Sequence, residues 1–108
     1  MKRQALRRED GLAITRAFRD AIKAGGVPVE RVLLYGSVAR DAATGDSDLD
    51  IAVICKPFRE TRHEENMELR RIRWDIDVRI SPYSFHSDDL SNRLFGLAQE
   101  VRETGVEV

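Results

Sequence analysis

The amino-acid sequence predicts a single α+β domain, a small mixed β-sheet with helices packed on it. Two observations lead to this fold class. Apolar residues recur at helical spacing near both ends of the chain, and short apolar runs of strand length lie between them. The chain has 108 residues, which is the size of one domain. We therefore expect one domain over residues 1–108, with one hydrophobic core.

The first predicted helix has one apolar face, and the glycine pair Gly25-Gly26 ends it, followed by Pro28. The charged segment 1–10 is interpreted as the fraying start of this helix. The face consists of Ile14, Ala17, Phe18, Ala21 and Ile22.

Two predicted strands flank a polar loop. The run from Val32 to Tyr35 is short and apolar, which is typical of a central strand, and Gly36 closes it. Gly36-Ser37 then opens a helical turn. After the loop, the segment DLDIAVICKP forms the second strand, which Pro57 ends.

The second half of the chain contains a helix, a strand and a helix. Thr61 and Glu64 have capping-box spacing, which predicts a short charged helix over RHEENMELRR. Residues 74–80 alternate between apolar and charged, which predicts a third strand ended by Pro82. An amphipathic last helix is then marked by Leu90, Leu94, Leu97, Ala98 and Val101, and it stops near Gly105. The terminal VEV is compatible with a small edge strand.

Composition excludes several classes of protein. The formal net charge is -1, so no broad positive field favours nonspecific nucleic-acid binding. The sequence contains no apolar run of membrane-spanning length, and no signal-peptide core follows Met1. We therefore expect a cytoplasmic protein. Cys55 is the single cysteine, which excludes an internal disulfide and favours a small buried thiol.

Two carboxylates in the second strand raise a question of charge. Side chains alternate in a strand, so Asp48 and Asp50 project from one face, with Cα atoms about 6.6 Å apart. Two such anions repel each other unless they are solvated or share a cation. Oxygen ligands favour Mg²⁺. The alternative is a solvated strand end, because the sequence GDSDLD is rich in turn-forming residues.

The Gly36-Ser37 turn suggests a phosphate site. Glycine allows a ligand to approach the backbone, and free amides at a helix start attract phosphate. Arg40 lies one turn later and could reach an anion, although it could equally pair with Asp41. If the two strands are neighbours, the turn faces the carboxylates, a geometry suited to phosphoryl or nucleotidyl transfer. An ordinary strand-to-helix turn is the alternative.

The segment GSVARDAATGDSDLD resembles the motif of the minimal nucleotidyltransferase family, which belongs to the DNA polymerase β-like superfamily. Gly36, Ser37, Asp48 and Asp50 occupy the motif positions. The resemblance implies a palm-like fold, ATP as substrate and two Mg²⁺ ions. It also implies a third carboxylate on the next core strand. Asp77 fits that position best, and Asp75, on the same predicted face, is the rival.

Carried onto this chain, the resemblance implies roles for individual residues. Asp48, Asp50 and Asp77 are expected to be catalytic metal ligands, while Gly36, Ser37 and Arg40 hold the nucleotide phosphates. Many relatives are antitoxins of HEPN/MNT modules, in which the activity is transfer of AMP to a tyrosine hydroxyl of a HEPN-domain ribonuclease toxin.

We expect no further helical domain in 108 residues, so a second copy or a partner is expected to complete nucleotide binding. The alternative function is a noncatalytic module that neutralises a partner by occlusion. Nucleotidylation of a small molecule is less favoured, because no substrate-binding lobe is predicted. Of the remaining notable side chains, His63 and His86 are expected at the surface and Trp74 in the core.

Overall fold

The structure, a computed structural model, describes residues 5–108. In chain order the elements are α1 (Arg8–Ala24), β1 (Val29–Tyr35), α2 (Gly36–Ala39), β2 (Leu49–Cys55), α3 (Arg62–Arg73), β3 (Ile80–Phe85), a 3₁₀ turn (Ser87–Asp89), α4 (Gly96–Thr104) and β4 (Val106–Glu107). The sheet order is β3-β2-β1-β4. β1 pairs antiparallel with β2 and β4, whereas β2 and β3 are parallel. The predicted α+β class with a small mixed sheet is confirmed.

The sheet has a packed cluster on each face. One face is covered by α1 and α3. Phe18 and Ile22 of α1 and Leu69 of α3 pack there against Leu34 and Ile51 of the central strands. The other face is covered by α4. Each fully buried side chain of this size contributes about 1.5–3 kcal/mol. Within residues 5–108, every helix is too short or too polar to cross a bilayer.

Several predicted element ends are confirmed. α1 ends at Ala24 with Gly25 as its cap, and β4 forms at the predicted edge. At the start of α3, the Thr61 hydroxyl oxygen accepts the Glu64 amide at 3.2 Å and the hydroxyl donates to the Glu64 carboxylate at 3.0 Å. Part of the predicted fraying start of α1, residues 1–4, lies outside the described residues.

The third strand was predicted too early in the chain. Residues 74–79 form successive turns after α3, in which the amides of Ile76 and Asp77 both donate to the carbonyl of Arg73 at 2.9 Å. The strand begins at Ile80 and includes Pro82. Proline is tolerated there because β3 is an edge strand. Alternation alone therefore did not distinguish these turns from a strand.

The last helix is shorter at its start than predicted. The segment between the 3₁₀ turn and α4 makes local turns, in which the amide of Asn92 donates to Asp89 and the amide of Phe95 donates to Asn92. The Asn92 side chain also accepts the amide of Leu94 at 3.0 Å. Such local side-chain bonds compete with helical hydrogen bonding. Leu94, predicted on the apolar face, is 96% exposed.

The position of α2 depends on close packing against α1. Gly11 is buried in α1, and a Cβ atom there would lie 2.6 Å from Cγ1 of Val38 in α2. It would also lie 3.1 Å from Leu34 and 3.3 Å from Leu49. The missing side chain lets α2, and the Gly36-Ser37 turn with it, lie against the first helix.

We expect Gly11→Ala to lower the free energy of unfolding by about 1–2 kcal/mol, because overpacking outweighs the helix-propensity gain. Gly96→Ala is the matched control. Gly96 is the first residue of α4, and nothing lies within 4 Å of a Cβ atom built there. The control should therefore be neutral or slightly stabilising. Urea unfolding of both variants measures the difference, and a shift in the same direction in both would contradict this packing argument.

Candidate active site

The end of β1 and the start of β2 meet at one point. Tyr35 is the register partner of Asp50, and Gly36 follows with a φ of 78°. A Cβ atom on Gly36 would lie 2.3 Å from Oδ2 of Asp50. Glycine is therefore required here for two reasons, its left-handed backbone and the close carboxylate. β1 and β2 are neighbours in the sheet, so the Gly36-Ser37 turn lies beside the Asp50 carboxylate, as the sequence predicted.

The two aspartates of the motif lie at the edge of the sheet. Asp48 is exposed and precedes β2, while Asp50 is the second residue of the strand and is half-buried. Within residues 5–108, neither carboxylate has a hydrogen bond or ion pair. Burial raises the pKa of Asp50 to about 6, and the charges of Glu100 and Asp48 add to the effect. Negative charge is thus concentrated where no side-chain cation balances it.

The Gly36-Ser37 turn is fixed by the last helix. The Gly36 amide donates to the Thr104 hydroxyl at 3.1 Å, and that hydroxyl donates to the carbonyl of Glu100 at 2.8 Å. The half-buried Ser37 hydroxyl makes no hydrogen bond to any residue of the described part. In this turn the Gly36 amide is engaged, while the Ser37 hydroxyl is available to a ligand.

Arg40 is exposed at the end of α2. Its Nε donates weakly to the carbonyl of Gly36 at 3.4 Å, so the side chain folds back over the turn. Asp41 does not pair with it and instead accepts the amide of Arg8 at 3.3 Å. The guanidinium therefore lies close to the turn that was predicted to hold phosphate.

Asp77 lies in the turn before β3, not on a strand. Its carboxylate accepts the backbone amide of Arg79 at 2.9 Å and forms an ion pair with that guanidinium at 2.7 Å. Because β2 and β3 are parallel, and the Leu49 amide donates to the carbonyl of Arg79 at 2.9 Å, this turn lies at the sheet edge that carries Asp48. Asp75, the rival, is exposed.

The donor set at this edge fits a hard divalent cation. Asp48 and Asp50 offer only oxygen atoms, which Mg²⁺ prefers, and the unbalanced charge around Asp50 would be relieved by a cation. In this conformation Asp77 does not complete a cluster with them, because the three carboxylates are not all within 4.8 Å of one another. Ser81, rather than an acid, is the register partner of Asp50 on β3.

Sequence reasoning missed Glu100, whose charge adds to the field at Asp50. Its one signal is the spacing of four from Thr104, which places both residues on one face of α4. Two other expectations were wrong. Trp74 is 66% exposed, and His86 is half-buried against the carboxylate of Glu65 at 2.7 Å. His63 is exposed and Cys55 is buried, as predicted.

Comparison with known proteins gives a family and a fold. The sequence model described as polymerase beta nucleotidyltransferase matches residues 22–103. A chain of the MntA–HpeT toxin–antitoxin crystal structure, in a mutant form, is similar with a TM-score of 0.62 and 19% identity; the match covers 86% of this chain and 69% of that one. No curated protein sequence gives a significant match.

A second solved structure, from Sulfolobus solfataricus and described as a nucleotidyltransferase, is similar with a TM-score of 0.58 and 18% identity. That match covers 92% of this chain and 82% of the other. At these identities the two structures support the fold alone.

The raised pKa of Asp50 gives a prediction for stability. A folded pKa of about 6 exceeds the ordinary value, so the folded state binds the proton more tightly between about pH 4 and pH 6. The free energy of unfolding therefore falls as the pH rises through that window. We expect Asp50→Asn to be more stable than the parent chain near pH 7.5, by about 1 kcal/mol after discounting for solvent screening.

Near pH 4 this advantage should disappear. Urea unfolding at both pH values measures the two differences. Asp46→Asn, an exposed acid of the same loop, is the matched control and should show no such pH dependence. A variant Asp50→Asn that is less stable than the parent at both pH values would contradict the electrostatic argument.

Proposed function

Because the chain belongs to the polymerase beta nucleotidyltransferase family, we propose that it transfers AMP from ATP to a hydroxyl group of a partner protein. One observation supports the proposal most strongly. The Asp50 carboxylate lies so close to the Gly36 turn that a Cβ atom on Gly36 would be 2.3 Å from its Oδ2 atom. The turn that is proposed to bind phosphate and a carboxylate without a hydrogen bond in the described part of the chain are thus adjacent, an arrangement that suits nucleotidyl transfer.

Asp48 and Asp50 are the proposed ligands of Mg²⁺, which would neutralise the phosphates and stabilise the charge that develops on the entering and leaving oxygens. Their oxygen donors suit this ion. The raised pKa of Asp50 supports the assignment, because it reflects a half-buried carboxylate without a cation. We place the reaction in the cytoplasm, where ATP and Mg²⁺ are abundant.

The nucleotide phosphates are proposed to lie on the turn. The Ser37 hydroxyl donates to a phosphate oxygen, and Arg40 swings from the Gly36 carbonyl onto the triphosphate. The absent side chain of Gly36 lets the Asp50 carboxylate, with its cation, lie beside those phosphates. The acceptor hydroxyl oxygen then attacks the α-phosphorus, the bond to pyrophosphate breaks, and the hydroxyl proton passes to a carboxylate. The products are an AMP-modified acceptor and pyrophosphate.

Asp77 is the proposed third metal ligand, and it would help to bind the ion that activates the attacking hydroxyl group. Its ion pair with Arg79 must then open, so that a cation replaces the guanidinium as partner. The location supports this exchange, since the turn lies at the same sheet edge as Asp48. Asp75 is exposed and remains the alternative.

The acceptor is proposed to be a HEPN-type ribonuclease toxin, with this chain as its antitoxin. Similarity to a chain of the MntA–HpeT toxin–antitoxin structure supports a toxin partner. A noncatalytic module that covers its partner is the second candidate. The ion pair between Asp77 and Arg79 favours it, because a third carboxylate held by arginine is not arranged for catalysis.

We expect Asp48→Asn/Asp50→Asn to lose at least about 100-fold in the rate of AMP transfer, because charge stabilisation is the main catalytic contribution. The measurement is transfer of labelled AMP from ATP and Mg²⁺ to a co-expressed partner. Asp46→Asn removes a nearby exposed acid and should retain the parent rate. If the double variant neutralises the partner as well as the parent does, and neither transfers label, the binding module is supported instead.

The third carboxylate is tested separately. We expect Asp77→Asn to slow transfer more than about 10-fold, and Asp75→Asn to leave the rate nearly unchanged. Arg79→Gln breaks the same ion pair while keeping the Asp77 carboxylate, so it controls for a purely structural effect. Equal loss in the Asp77 and Arg79 variants would assign Asp77 a structural role.

A further inference from the structure

A second cluster of ligand-type side chains lies at the opposite end of β2 from Asp50. Cys55 is the last residue of the strand, Glu65 belongs to α3, and His86 follows β3. Cys55 lies five positions after Asp50, which is about 16 Å along a strand. Cys55 also belongs to the core cluster on the face covered by α1 and α3, so this cluster is distinct from the proposed active site.

Glu65 is the centre of the cluster and has no exposed surface. Its Oε1 atom accepts the Ser84 hydroxyl at 2.7 Å and contacts His86 Nε2 at 2.7 Å. Its Oε2 atom accepts the amide of Phe58 at 2.8 Å and that of Arg59 at 3.4 Å. Burial raises the pKa of Glu65, but the hydrogen bonds outweigh it and the net shift is downward. A buried anion results, held by two backbone amides, a hydroxyl group and the His86 ring.

The ligand atoms have nearly the spacing of a metal site. The Cys55 sulfur, a Glu65 oxygen and a His86 nitrogen all lie within 4.8 Å of one another. Zinc bonds of about 2.0–2.3 Å in a tetrahedron set ligand atoms roughly 3.3–3.8 Å apart. On binding, the Glu65 and His86 atoms, now 2.7 Å apart, would separate slightly, and any pair near the 4.8 Å limit would close by about 1 Å. The Ser84 hydroxyl lies 3.5 Å from the Cys55 sulfur and donates to Glu65, so it would have to turn away when the metal binds.

We propose that Cys55 Sγ, a carboxylate oxygen of Glu65 and His86 Nε2 bind one Zn²⁺ ion, with water as the fourth ligand. Sulfur and imidazole ligands select zinc over Mg²⁺. A divalent cation also balances the charges of the Glu65 carboxylate and a Cys55 thiolate. Half-buried His86 provides the path from solvent.

Binding exchanges protons for the metal. Burial raises the pKa of the Cys55 thiol, so the metal-free thiol is neutral, and zinc displaces one proton from it to solvent. His86 Nε2 lies 2.7 Å from the Glu65 carboxylate, and it must carry no proton when it binds the metal. The Asp89 amide, which donates to the His86 carbonyl at 2.9 Å, would keep that bond.

A bound ion would tie three elements together. The ends of β2 and β3 would be joined to α3 through side chains that now contact one another only by hydrogen bonds. Because the metal binds the folded arrangement and not the dispersed ligands of the unfolded chain, it should raise thermal stability.

The test uses the full chain, purified without a histidine tag and stripped of metal, in excess Mg²⁺ to occupy oxygen-only sites. We expect one zinc per chain by equilibrium dialysis and a rise in the unfolding midpoint of at least about 5 °C. Co²⁺ in place of zinc should give a thiolate-to-cobalt charge-transfer band, which a site without Cys55 cannot produce.

Single variants identify the ligands. Cys55→Ala should abolish the cobalt band, and both Cys55→Ala and His86→Gln should weaken zinc binding at least about 10-fold. His63→Gln is the matched control, because His63 is an exposed histidine at the start of α3, and it should bind zinc as the parent does. If Cys55→Ala does not fold, His86→Gln decides the test, because His86 is only half-buried and its replacement disturbs the core less. Circular dichroism checks that His86→Gln is folded.

Two outcomes would overturn the proposal. One is absence of zinc binding by the parent chain, which would leave the cluster as a hydrogen-bonded network only. The other is unchanged zinc affinity in folded His86→Gln, which would place the ion elsewhere. Neither outcome bears on AMP transfer, because Asp48 and Asp50 are at the other end of β2.

Discussion

The pairing of β1 with β2 is the constraint on which the candidate active site depends. Its register places Tyr35 opposite Asp50, so the next residue along β1 must turn beside a carboxylate. Only glycine meets both the φ of 78° and the 2.3 Å approach. Thr104 of α4 then accepts the Gly36 amide and fixes the turn, so sheet register, turn and last helix form one unit.

Negative charge is concentrated around Asp50, and this concentration lowers the stability of the folded chain. Asp50 is half-buried, and its pKa rises to about 6 because of burial and the nearby charges of Glu100 and Asp48. A domain selected for stability alone would place an asparagine there. Acidic side chains at positions where they oppose folding are typical of functional sites. The cluster around Glu65 differs, because its buried carboxylate is fully hydrogen-bonded.

Local signals predicted most of the elements. The apolar face and the glycine pair of α1, the capping residue Thr61 and the strand ended by Pro57 each act within a few residues, so the sequence alone sufficed. The alternation of residues 74–80 was misleading, because residues 74–79 form turns in which the apolar side chains of Trp74 and Val78 are exposed. The start of α4 was missed because the side-chain bond of Asn92 is invisible in a hydrophobic pattern.

The spacing of Gly36, Ser37, Asp48 and Asp50 was enough by itself to predict the family, because the turn and the strand edge are formed by one continuous segment. Long-range contacts decided the rest. The ion pair of Asp77, the proximity of Glu100 to Asp50 and the burial of His86 against Glu65 each depend on how separate elements pack. Side chains from different elements meet only after the sheet has formed, and no local pattern records those distances.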